Sequence, residues 1–115
     1  MSHINRSVLV VKARQPFLDW TQSLPDPLEN LTLERLHDDC HAYLFPHWDT
    51  HEEREELLAE VYDFLFDQEL FGWHRDARAF PRNRTLAMFH EWFDVEFHSV
   101  VVDLVEGDIV KKAEC

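Results

Sequence analysis

Glycine and cysteine are scarce in this chain. Of its 115 residues, only Gly72 and Gly107 are glycines, whereas phosphate-binding loops and dinucleotide-binding turns need closely spaced glycines. Glycine-rich nucleotide motifs are therefore excluded. The two cysteines, Cys40 and Cys115, are too few for a disulfide framework, and residues 1–6 lack the apolar stretch of a signal peptide. We therefore expect a cytoplasmic protein, with Cys115 an unpaired thiol at a frayed end.

Basic residues are also scarce. The chain has 11 Lys and Arg against 23 Asp and Glu, which gives a net charge of −12 with its eight histidines neutral. General nucleic-acid binding needs clustered basic residues, so we expect none. Apolar runs are too short for a membrane span, so we expect no membrane partner. Because 45% of residues are hydrophobic and 13% aromatic, the composition predicts a folded acidic domain over residues 1–115, with a short flexible tail from about residue 107.

Hydrophobic periodicity and turn signals predict alternating short strands and helices. The predicted strands cover residues 7–13, 41–45 and 95–105, and the predicted helices cover residues 16–24, 31–38, 51–71 and a segment after Pro81. This β-α-α-β-α-α-β order favours the α+β class, as one compact domain with a small sheet of about three strands covered by helices.

Several details of these segments can be checked individually. Thr32, Thr50 (with Glu53 at capping-box spacing) and Asn83 are the predicted N-caps of three helices. Strand 95–105 is apolar on both faces at its middle, which predicts a central strand adjacent to strand 7–13. The helix from residue 51 is expected to cover that sheet with an apolar stripe consisting of Leu57, Leu58, Val61, Phe64, Leu65 and Phe71.

Two segments of the chain are similar to a known family. Residues 5–20 (NRSVLVVKARQPFLDW) and 80–104 (FPRNRTLAMFHEWFDVEFHSVVVDL) resemble the two signatures of a family of short bacterial proteins of about this length. The family has no established activity. The resemblance therefore implies a bacterial, cytosolic, single-domain protein, and it assigns no catalytic or binding residue.

Arginines are concentrated in one short segment, which contrasts with the acidic helix before it. The residues concerned are Trp73, Arg75, Arg78, Arg82 and Arg84. Guanidinium groups bind carboxylates or phosphates through two parallel hydrogen bonds and stack on aromatic rings. We therefore predict a binding surface for an anionic group of a partner, at which Arg78, Arg82 and Arg84 matter more to binding than to folding. Pairing of these arginines with the chain's own carboxylates is the alternative.

Histidines and carboxylates form two further clusters. His37, His41 and His47 are candidate metal ligands, but the sequence has neither an H-E-x-x-H helix nor paired C-x-x-C spacing. We therefore expect neither a metal nor another cofactor. In the second cluster, His90 and Asp94 are separated by one helical turn and His98 follows on the strand face of Val100 and Val102, where we expect partial burial. These three residues are the alternative acid-base group.

Two classes of function fit these patterns. A non-catalytic protein-interaction or regulatory module, which acts on a protein partner or self-associates as a dimer, is favoured because the candidate catalytic residues lack the spacing that chemistry requires. The alternative is a small enzyme or a metal- or ligand-binding protein that uses the histidine and carboxylate clusters.

Overall fold

A computed structural model describes residues 1–112 of the chain. The strands are β1 (Ser2–His3), β2 (Ser7–Ala13), β3 (His41–Phe45), β4 (Phe93–His98) and β5 (Val102–Asp103). The helices are α1 (Gln15–Ser23), α2 (Leu33–His37), α3 (His51–Phe71) and α4 (Leu86–Trp92), and a 3₁₀ turn covers Ala77–Ala79. The predicted α+β class and the single compact domain are confirmed. Cys115 lies outside the described residues.

The main sheet is antiparallel, with the strand order β3-β2-β4. Residues of β2 alternate between the two faces of the sheet, so that Leu9 and Val11 are 0% and 2% exposed beneath the helices. Val8 and Val10 lie on the other face, against Leu44 and Ala42 of β3. The predicted adjacency of strand 7–13 and the strand that begins near residue 95 is confirmed.

The predicted strand 95–105 differs from the observed structure in two ways. It is an edge strand, because β2 separates it from β3, and it ends at His98. Val8 pairs with His98, and His3 pairs with Val102. The first strand therefore advances five residues between these pairs (from His3 to Val8), whereas the second advances only four (from His98 to Val102). This one-residue mismatch interrupts the ladder in the manner of a β-bulge and leaves β1 and β5 as a separate two-stranded ladder.

Helix α3 begins as predicted, and of the six residues of the predicted apolar stripe only Phe64 does not pack in or against the core. The backbone N–H of Glu53 donates to the Thr50 side-chain oxygen at 3.1 Å, which caps the helix. The buried residues are Leu58, Leu65, Phe66 and Leu70. Phe64, which was expected to face inward, is 62% exposed. Successive helical residues are rotated by about 100°, so Phe64 and Phe66 point to nearly opposite sides and only Phe66 faces the sheet.

Two further caps were predicted, of which one is confirmed. Thr32 accepts a hydrogen bond from the backbone N–H of Arg35 and caps α2. The cap of α4 is Thr85, which accepts from the backbone N–H of Met88 at 3.1 Å, and not Asn83. Asn83 has a φ of 56° and lies in the turn before the helix, where Asn tolerates the left-handed conformation.

Aromatic rings from three helices and β4 fill the space above the sheet. The Phe66 ring centroid is 5.3 Å from Phe93, 5.3 Å from Trp92 and 5.9 Å from Phe89. Trp20 is 9% exposed, and its indole N–H donates to the carbonyl of Ala79 at 2.9 Å. Within residues 1–112, no helix combines the length and apolar character needed to cross a bilayer.

Candidate functional site

The last turn of α3 places a carboxylate over the beginning of β3. Glu69 accepts hydrogen bonds from His41 Nδ1 at 2.6 Å and from the Tyr43 hydroxyl at 2.5 Å. His41 and Tyr43 are two residues apart in a strand and therefore point to the same face, towards the helix. The Glu69 side chain is only 12% exposed, while that of His41 is 60% exposed. The carboxylate therefore orients an accessible imidazole.

The same carboxylate affects the ionisation of its second partner. Burial, followed by the negative charge of Glu69 and the hydrogen bond to it, raises the pKa of the Tyr43 hydroxyl far above its ordinary value. The hydroxyl therefore stays protonated and serves as a fixed donor to Glu69.

This shift predicts a loss of stability in alkaline solution. In the unfolded chain Tyr43 ionises near its ordinary pKa of 10.0, but in the folded protein it keeps its proton, so the unfolded state gains stability above that pH. We expect this group to lower the free energy of unfolding by up to about 1.4 kcal/mol per pH unit above about pH 10. Urea unfolding at several alkaline pH values measures the slope. Tyr43→Phe removes this contribution, so an unchanged slope in that variant would contradict the assignment.

His41 lies between two depressions of the surface. One has a volume of about 520 Å³ and is lined by Tyr43, Gln68, Phe71 and Arg75 as well as His41. The other has a volume of about 240 Å³ and includes Cys40, together with Arg35, Asp38, Asp39 and Glu69. Burial raises the pKa of the Cys40 thiol despite the opposing charge of Lys12, which disfavours the nucleophilic thiolate.

The five residues of the predicted arginine surface are distributed over different environments. Arg84, whose side chain is 14% exposed, pairs with Asp63 at 2.9 Å and Asp67 at 3.4 Å. Arg78 pairs with Asp76 at 2.8 Å. The remaining three are exposed, namely Trp73, Arg75 and Arg82.

These contacts change what we expect of each arginine. Arg84 carries the self-pairing that was the alternative, and its burial implies a structural role. The guanidinium of Arg75 stacks over Phe71, 4.5 Å from the ring centroid. Arg82 makes no ion pair with any residue from 1 to 112. Arg75 and Arg82 line different depressions, and the binding surface stays a prediction.

The three candidate metal ligands have separate partners. His37 Nε2 lies 2.8 Å from the carbonyl oxygen of Ala13, His41 contacts Glu69, and His47 Nε2 lies 3.4 Å from Asp49. Among the described residues, no group of three or more His, Cys, Asp or Glu side chains is arranged to hold a metal ion.

The alternative acid-base group is also separated. Helix α4 ends at Trp92, so Asp94 lies in β4 and the expected one-turn spacing from His90 does not exist. His98 is exposed, and not partly buried as expected, because the face of β4 that carries it has no helix over it. Its Nε2 lies 3.1 Å from Glu96.

Sequence reasoning identified His41 but missed its two partners. Two polar residues at alternate positions of a short strand, His41 and Tyr43, are a local signal that both share one face. Glu69 gives no comparable signal, because α3 carries many acidic residues and only packing selects the one that reaches β3.

Comparison of the chain with protein-family models, with curated proteins and with solved structures found no match. The resemblance of residues 5–20 and 80–104 to a family of short bacterial proteins therefore stays a prediction.

Proposed function

We propose that the protein is a non-catalytic interaction module that acts as a homodimer, formed by pairing of β4 with β4 of a second copy. The observation that carries this proposal is the outer edge of β4, which has no strand partner among residues 1–112. An unpaired edge is a template for another strand.

The hydrogen bonds between β2 and β4 show which backbone N–H and C=O groups of β4 are available to a second copy. Arg14 N–H donates to the Trp92 carbonyl at 2.8 Å, in the same register as the β2–β4 ladder. Hydrogen-bonded residues alternate along an antiparallel strand, so the even-numbered residues of β4 bond to β2. Val95 and Phe97 therefore direct their N–H and C=O groups outward, where a second copy can bind them.

Charge selects one register for this pairing. A two-fold axis at Glu96 would place Asp94 opposite His98 but would also place two Glu96 side chains opposite each other. An axis at Val95 would place Asp94 opposite Glu96. Like charges directly opposite one another are unfavourable. An axis at Phe97 instead places Glu96 opposite His98 of the second copy, twice in the dimer. Of these three registers it is the one in which no two carboxylates are opposed.

Exposed apolar side chains lie next to this edge and support the proposal. Val100, Val102 and Leu104 follow β4 and are 66%, 42% and 71% exposed. Several large apolar side chains exposed in one short segment are typical of a protein interface. The proposed dimer is cytoplasmic, which agrees with a chain of only two cysteines.

Exchange of Glu96 and His98 tests the register. His98→Glu places Glu opposite Glu96 twice, and we expect the dissociation constant of the dimer to rise on the order of tenfold. The double variant Glu96→His with His98→Glu exchanges the two side chains and is expected to restore the parent value. Sedimentation velocity over a range of concentrations measures each constant, with circular dichroism to verify folding.

Two results would overturn this proposal. A parent protein that sediments as a single copy at every concentration excludes the homodimer. If the double variant is as weak as His98→Glu, the pairing about Phe97 is wrong.

A further inference from the structure

The cleft beside His41 is a second candidate site, on the opposite side of the main sheet from β4. Its volume is about 520 Å³, and of the described residues that line it, none is Asp or Glu. This is unusual in a chain with a net charge of −12. The cleft is therefore a local surface on which an anion meets cationic and amide donors.

Arg75 supplies a free guanidinium to this cleft. It packs over the ring of Phe71, 4.5 Å from the centroid, which restricts its orientation. Arg78 and Arg84 are each paired with aspartates, whereas Arg75 has no acidic partner among residues 1–112. Its donors therefore remain available to a ligand, and guanidinium binds oxyanions through two parallel hydrogen bonds.

His41 supplies a second polar group whose orientation is fixed. Its Nδ1 is held by Glu69 at 2.6 Å, which leaves Nε2 as the free ring nitrogen. In its imidazolium form the ring donates through Nε2 as well as through Nδ1, and the largely covered Glu69 carboxylate lies beside the positive charge. A Cβ at Gly72 would lie 3.7 Å from His41 Cε1, so glycine at this position leaves the space beside the imidazole open.

We infer that the cleft between His41 and Arg75 binds a small oxyanion, a carboxylate or a phosphate group. Phe71 and Tyr43 form apolar walls for the body of the molecule that bears it. The inference is independent of the proposed dimer, because the cleft lies beside β3 and the dimer forms at β4.

Titration with inorganic phosphate and with acetate, at constant pH and ionic strength, tests this site. The His41 Cε1–H signal in the NMR spectrum, assigned by its absence in His41→Gln, is expected to shift and saturate. Arg75→Gln is expected to raise the dissociation constant about tenfold, which corresponds to about 1.4 kcal/mol. Tighter binding of phosphate identifies a phosphate site, and tighter binding of acetate identifies a carboxylate site.

Arg78→Gln is the matched control. It removes the same charge three positions away, from a guanidinium that is paired with Asp76 and does not line the cleft. We expect its dissociation constant to equal that of the parent. Equal weakening by Arg75→Gln and Arg78→Gln would show attraction to general positive charge, and a His41 signal that does not saturate would show that no site exists. Either result overturns the inference.

Discussion

Replacement of Phe66 by alanine is expected to lower the free energy of unfolding by about 3 to 5 kcal/mol. The side chain is 0% exposed, and its ring contacts three other aromatic rings within 5.9 Å, those of Phe89, Trp92 and Phe93. Truncation removes these contacts and leaves a cavity, because α4 and β4, which carry the three rings, hold each other in place. Equilibrium unfolding in urea measures the loss.

Phe64→Ala is the matched control on the same helix. Phe64 is 62% exposed, so its truncation removes little buried surface, and we expect a change within about 0.5 kcal/mol. Equal destabilisation by the two substitutions would contradict the assignment of the buried face of α3.

Arg84→Ala is expected to lower the free energy of unfolding by about 2 kcal/mol. The side chain is 14% exposed and bridges Asp63 and Asp67, and its guanidinium lies 5.3 Å from the centroid of the Phe66 ring. The two aspartates are substantially exposed, so their ion pairs contribute modestly. Most of the expected loss comes from packing of the arginine stem and guanidinium against the core.

Arg82→Ala provides the comparison. It removes the same side chain two positions away, where the arginine is exposed and makes no ion pair with the described residues, so we expect a change within about 0.5 kcal/mol. If Arg84→Ala were as stable as Arg82→Ala, the sequence-based prediction that Arg84 matters more to binding than to folding would stand.

Phe64 and Phe66 show that hydrophobic periodicity alone does not predict which residues of a helix are buried. Apolar residues occur on several sides of α3, so the sequence pattern favoured a stripe that included Phe64. The structure exposes Phe64 and buries Phe66 and Leu70, which the pattern left out. Periodicity reports which residues share a face. It does not report which of two similar faces contacts the sheet, because that depends on the position of the neighbouring strands.

The candidate site shows the same limit of local sequence patterns, because its residues come from separate parts of the chain. Arg75 was predicted from the density of arginines, but its partner in the cleft, His41, belonged to a different predicted cluster. Glu69 lies 28 residues from His41 along the chain. No local signal links residues at such a separation, so the grouping could be found only from the three-dimensional contacts.

The sequence by itself determined the elements whose signals are local: β2 from its run of β-branched residues, α2 and α3 from their threonine caps, and the α+β class from the order of elements. Tertiary structure alone decided the edge position of β4, its end at His98, the burial of Phe66 and the contact of Glu69 with His41 and Tyr43. The physical reason is that caps and periodicity act over a few residues, whereas strand order, register and side-chain partners depend on long-range packing.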